Sequence, residues 1–131
     1  MSQENVEVVR SVFVAVNAGD MEAVRETLDP DVVIGRELEG WPETGPFVGR
    51  DAVMRLFAQL REPWDTATLE PVGIIDAGDR VVARQIAHGV GRGPAFHAEF
   101  TTVSTVRNGR TVLIDYYWDH ADALKAVGLA E

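Results

Sequence analysis

Residues 96–129 read FHAEFTTVSTVRNGRTVLIDYYWDHADALKAVGL, and the way this stretch folds back on itself decides the architecture. Two runs rich in β-branched and aromatic residues flank Arg107-Asn108-Gly109, and a short helical pattern follows Asp119. This reads as two long strands, a tight turn and a closing helix. Asn-Gly is the commonest two-residue hairpin turn, but a three-residue loop with Gly in the left-handed position is also common. The choice matters because a slip of one residue turns every side chain to the other face. The three-residue loop pairs Phe100 with Tyr116, Thr102 with Ile114 and Ser104 with Val112. One face then also carries Phe96, Ala98, Val106 and Trp118. The other collects His97, Glu99, Thr101, Val103, Thr105, Thr111, Leu113, Asp115 and Tyr117. The two-residue reading mixes charged and apolar positions on both faces, so the three-residue loop is the expectation.

Upstream, the signals are helical first. Val6, Val9, Val12, Phe13 and Val16 recur at helical spacing between Gln3 and Asn17, with Ser2 as a cap and Ala18-Gly19 as the stop. Asp20 caps a second helix carrying Met21, Val24 and Leu28, with Pro30 ending it. Val32-Val33-Ile34 is a short strand, and the following RELEGWPETGPF has no periodicity. A long irregular stretch in a small domain is often a binding lid. Gly49 to Leu60 returns to helix, with Val53, Leu56, Phe57 and Leu60 on one face. Thr68 to Asp76 and Arg80 to Gly91 are strands joined at Ala77-Gly78-Asp79. The order is α-α-β-α-β-β-β-β-α, an α+β layout with helices on one face of a sheet.

Composition bounds the function. A chain of 131 residues with 46% hydrophobic and 25% charged residues suits one soluble domain, 1–131. A net charge of -9 argues against nucleic-acid and anionic-membrane partners, which need clustered Lys and Arg. The absence of cysteine excludes disulfides and thiolate chemistry. The polar start MSQENVEVV is no signal peptide, so the cytoplasm is the expected location.

Few residues carry obvious chemistry. Gly89, Gly91 and Gly93 lead into a strand rather than a helix, so they read as a bulged β connection and not a phosphate cradle. Asp119-His120-Ala121-Asp122 reads as an acidic helix cap, and no metal site is expected. Ser104 has no base beside it in the chain and reads as a satisfied polar core residue. The aromatic set is more suggestive. Trp41 in the lid, with Phe100, Thr102, Tyr116, Trp118 and Gln85 on the sheet, gives a mostly apolar wall with a few polar tips. Small-molecule pockets are built that way.

Taken together, NAGDMEAVRETLDPDVV, VGRDAVMRLF and VRNGRTVLIDYYWDHADALKAVGL resemble a SnoaL-like domain of the nuclear-transport-factor-2-like superfamily over nearly the whole chain. The resemblance implies an α+β cone: a curved antiparallel sheet wrapped around the N-terminal helices, with a short C-terminal helix. It also implies a homodimer through the outer sheet face, where Val103, Leu113 and Tyr117 are too apolar to leave to water. Ketosteroid isomerases of this superfamily use a Tyr and two Asp residues, which fall here near Val12, Arg36 and Thr102, so that mechanism is not expected. The expected function is binding of an apolar, oxygenated small molecule. Any catalysis would be acid/base chemistry without metal or organic cofactor, with Glu37 or Asp119 carrying the proton and Tyr116, Gln85 or Thr102 orienting a carbonyl. The alternative is a non-catalytic binding or dimerisation module whose pocket is filled by its own side chains.

Overall fold

The computed structural model describes residues 2–129. The side chain of Ser2, expected to cap the first helix, lies outside what is described. Helix α1 (Ser2–Asn17) turns Val6, Val9 and Phe13 inward, and all three are buried. Gly19 takes a positive φ of 73° to end it, and Asp20 Oδ1 accepts from the Ala23 N–H at 3.1 Å to start α2 (Met21–Glu26).

Strand β1 (Leu28–Arg36) is longer than the expected Val32–Ile34 and runs through Pro30, so α2 stops short of the proline. Its pairing slips between Leu28 and Val33, around Pro30, which has no N–H to give a ladder. A two-residue strand β2 (Phe47–Val48), not expected from the sequence, pairs with β1, and α3 (Arg50–Arg61) buries Val53 and Leu56 completely. The rest is β3 (Thr66–Ala77), β4 (Arg80–Val90), β5 (Phe96–Arg107), β6 (Arg110–Tyr117) and α4 (His120–Ala126). The six strands form one curved, unclosed sheet in the order β2-β1-β6-β5-β4-β3, antiparallel except where β1 runs parallel to β6. A parallel pair needs a long crossover, and here most of the chain lies between its two strands. This is the α+β cone.

The β5–β6 turn differs from expectation. Arg107 pairs with Arg110, so the loop is the two residues Asn108-Gly109. Their φ angles of 52° and 77° are both positive, as a type I′ turn requires, and Asn-Gly adopts that geometry at little cost. A two-residue turn alone would have reversed the faces. The ladder instead shifts between Thr105 and Val106: Val106 pairs with Thr111, but Thr105 pairs with Leu113, leaving Val112 as an extra bulged residue. The bulge restores the parity that the turn removes. Thr102 therefore faces Tyr116 and Ser104 faces Ile114, two residues out of the expected register but on the same face. Thr111 moves to the inner face, and Val112 no longer faces Ser104.

Helix α1 lies along the far edge of the sheet. Asn17 both donates to the Leu69 carbonyl at 2.9 Å and accepts from its N–H at 2.8 Å, satisfying free groups of edge strand β3. Asn5 donates to the Gly78 carbonyl at 3.0 Å, so both ends of the helix are tied. Val6, Val9 and Phe13 pack on Val81, Ala83 and Val106 at one end of the inner face. A second cluster, built on Val32, Phe47, Val53, Leu56, Ile114 and Tyr116, holds α3 against the other flank.

The outer face is covered in part by the chain itself. Helix α4, capped by Asp119 through the Ala121 N–H at 2.9 Å, lays Ala123 against Val82 and Val103. Val103 is thus only 3% exposed, and the apolar surface that argued for a partner is smaller than the sequence suggests. Tyr117 carries the Arg36 guanidinium over its ring at 4.6 Å. Among the described residues no helix is long and apolar enough to cross a membrane.

Asp115, on the outer face of β6, is half-buried, and burial raises its carboxyl above the ordinary range despite nearby Arg36 and Arg80. A folded value above the unfolded one favours folding below the unfolded titration near about pH 3.9. That advantage is lost as pH rises through the folded value. Asp115→Asn should therefore raise the melting temperature at neutral pH, and the gain should vanish in acid. A melting temperature lowered at neutral pH would show that attraction to Arg36 and Arg80 outweighs desolvation.

Candidate functional site

Along β4 and β5 the inner face has three distinct parts. Val81, Ala83 and Val106 form the closed end under α1. Gln85, Thr102 and Ser104 make a polar band beside it, Thr102 opposite Ala83, Ser104 opposite Val81 and Gln85 next along β4. Beyond them Ala87 pairs with Ala98 and Gly89 with Phe96. Two facing alanines cannot fill the space that leucine or phenylalanine would, and the sheet is concave at that point. The result is a cavity of about 490 Å³, within the range of roughly 300–1,000 Å³ usual for small-molecule sites.

The polar band is buried but not closed on itself. Gln85, 3% exposed, donates from Nε2 to the Ala83 carbonyl at 3.0 Å and to Thr102 Oγ1 at 3.1 Å. Its Oε1 and the hydroxyls of Ser104 and Tyr116 make no hydrogen bond to the described residues, and all three side chains line the cavity. Burial pushes the Tyr116 phenol well above its ordinary range, so it stays a proton donor. The band is thus a neutral set of donors and acceptors facing the cavity.

The remaining wall is apolar and aromatic. Trp41 reaches in from the lid and meets Tyr116 edge-on at 4.8 Å and Phe47 at 6.0 Å. Phe100 sits between Tyr116 at 5.9 Å and Trp118 at 6.4 Å. Trp118 is 50% exposed, not the buried aromatic that the face assignment suggests, because it stands just past the end of β6. It nevertheless lines the cavity and donates from Nε1 to the Glu39 carbonyl at 3.0 Å, fastening the lid to the sheet.

All six residues read from the sequence as a pocket wall, Trp41, Gln85, Phe100, Thr102, Tyr116 and Trp118, border this one cavity. The two candidate proton carriers do not. Glu37 Oε2 accepts from the Gly45 N–H at 2.7 Å and holds the lid loop in shape. Asp119 caps α4 and borders a separate, more open cavity of about 450 Å³ on the outer side, with Arg84, Glu99, Thr101, Trp118 and His120. Val12 and Thr102 line the main cavity, whereas Arg36 lies over Tyr117 outside it. No group of three or more metal-ligating side chains is found among the described residues.

Sequence reasoning missed part of the wall. Trp64 follows α3 and stacks on Phe96 at 5.4 Å. It lies flat on β4 only because position 89 is glycine: a Cβ there would come within 2.6 Å of Trp64 Cδ2. Gly89 is therefore a seat for an indole. Ser104 opens to the cavity rather than being satisfied in a core, and Arg61 joins the wall near Trp64. An aromatic just after a helix stop, with a glycine near the end of a later strand, is the signal that could have found this end.

Comparison with known proteins bears on this geometry. A search of curated proteins finds no match to the chain. Among solved structures it is similar to an NTF2-like protein of unknown function from Burkholderia pseudomallei, at 23% identity and TM-score 0.76, covering 95% of this chain and 98% of that one. It is similar to TerC co-crystallised with polyporic acid, at 21% identity and TM-score 0.76, with the same coverage of 95% and 98%. It also resembles RV0760c from Mycobacterium tuberculosis in complex with estradiol-17beta-hemisuccinate, at 18% identity and TM-score 0.75, over 88% and 94% of the two chains. The family model of the SnoaL-like domain matches residues 9–114. The chain belongs to the SnoaL-like domain family, on an NTF2-like fold.

Proposed function

We propose that this protein is a cytoplasmic small-molecule binder whose ligand is largely apolar and places an uncharged oxygen against Gln85, Thr102, Ser104 and Tyr116. The observation that carries this reading is the composition of the wall. It is apolar over most of its area, its polar band is neutral, and Gln85 Oε1 and the hydroxyls of Ser104 and Tyr116 face the cavity without a hydrogen bond to the described residues. Burying apolar ligand surface is worth ~25 cal/mol per Å² before ordering costs. A buried hydrogen bond adds a smaller net gain but penalises ligands that leave Gln85 unpaired. Binding without acid/base turnover is the reading best supported, because Glu37 and Asp119 are engaged outside the cavity. The ligands named with two similar structures belong to those proteins and offer support by fold analogy alone.

The test is a thermal-shift screen of neutral hydrophobes with one oxygenated end, such as 1-decanol. A saturable rise in melting temperature is expected. Gln85→Met, close to it in length and without the amide, should cut that rise while leaving the free protein folded. No rise with any such compound, or an equal rise in the variant, would contradict the reading.

Assembly is a separate matter. We propose a homodimer through the outer sheet face, supported by Leu113 and Tyr117, which are only partly buried there. Sedimentation at micromolar concentration should give twice the chain mass; a monomer would overturn this.

A further inference from the structure

The wall of the cavity holds one cation far from its neutral polar band. Arg61, in the last turn of α3, lines the cavity beside Trp64. Its Nη1 donates to the Ala67 carbonyl at 3.4 Å, long for an N–H···O bond. No carboxylate among the described residues pairs with it. A guanidinium carries five donors, so this brace leaves most of its capacity unused.

Strand register places Arg61 at the opposite end from Gln85. Ala67 pairs with Gly89, and Gly89 with Phe96, whereas Gln85 pairs with Phe100. Gln85 and Gly89 are four residues apart on β4, about 13 Å at the usual strand rise. The other ionisable groups in the wall are engaged elsewhere. The His88 imidazole bonds Glu70 at 2.8 Å and His97 at 2.7 Å on the outer face. Glu39 is exposed on the lid, with its carbonyl accepting from Trp118. The cavity is therefore polarised along its length: neutral hydrogen-bonding groups at one end, apolar in the middle, cationic at the other.

We propose that the ligand is an elongated amphiphile, with a hydroxyl or carbonyl at the Gln85 end and a carboxylate at Arg61, separated by about 13 Å of apolar body. This rests on the small-molecule reading above and deepens it. A chain with a net charge of -9 repels an anion at long range, so a local cation is what would let one bind. That repulsion fades beyond a screening length of about 8 Å at physiological salt, whereas a partly buried contact persists.

All three tryptophans of the chain, Trp41, Trp64 and Trp118, line the cavity, so fluorescence titration reads occupancy directly. The probes are 10-hydroxydecanoate, whose extended chain spans a comparable length, and 1,10-decanediol, which lacks the charge. The acid should bind about tenfold or more tighter than the diol, the scale of one hydrogen bond to a charged group. High salt should erode that preference in the wild-type protein. Arg61→Gln should abolish it by weakening the acid far more than the diol, and an unchanged urea-unfolding midpoint reports that the variant is folded. Equal affinity of the wild type for the two probes, or a variant that weakens both alike, overturns this inference and leaves the pocket reading standing. Failure of both probes to bind the wild-type protein overturns the two together.

Discussion

The concave face of a curved sheet has to be filled from somewhere, and in this chain the helices reach only its two ends. Helix α1 packs Val6, Val9 and Phe13 over Val81, Ala83 and Val106, while α3 and the lid pack over β1 and β6. Beyond the polar band the strands present Ala87 and Ala98, which project too little to fill the space in front of them, and Trp64 covers only Gly89 at the far end. Void space in a protein interior costs stability roughly in proportion to its volume. A fold that keeps about 490 Å³ open offsets that cost elsewhere: in the clusters at either end and in the Asn5 and Asn17 ties of α1.

The inner faces of β5 and β6 depend on two local features that compensate each other. Asn108-Gly109 forms the tightest hairpin turn available, and Val112 then steps out of the ladder. Either feature alone would have put Tyr116 on the opposite face from Thr102 and Ser104. Alternation of side chains along both strands revealed which residues share a face, because period-two patterning is local. It could not reveal how parity was kept. A turn of three residues and a turn of two with a bulge both put Thr102, Ser104, Ile114 and Tyr116 inside, and they differ in which partners stand opposite and in which of Thr111 and Val112 turns inward.

Other features were hidden for similar reasons of range. The extension of β1 through Pro30 and its parallel pairing with β6 join residues far apart in the chain, and no local pattern encodes them. Trp118 lines the cavity as its face implied, yet half its surface is open, since alternation says nothing about what ends a strand. Trp64 and Arg61 sit at a helix end where the sequence shows only a stop signal; their place in the wall follows from the Ala67–Gly89–Phe96 register. The apolar outer face was legible, but not that α4 would fold back over Val103. Helices, by contrast, were readable nearly to their ends, because caps such as Asp20 and Asp119 act within three residues of their own position.

The central claim is that the inner face around Ala87 and Ala98 borders open space. Ala98→Ile tests it without any knowledge of the ligand, since isoleucine suits a strand and adds volume only on the cavity side. Urea unfolding of the variant should give a stability equal to or above that of the wild-type protein, as apolar atoms enter a void that already exists. A loss of about 1–3 kcal/mol, the penalty for overpacking a filled core, would show that there is no cavity to occupy.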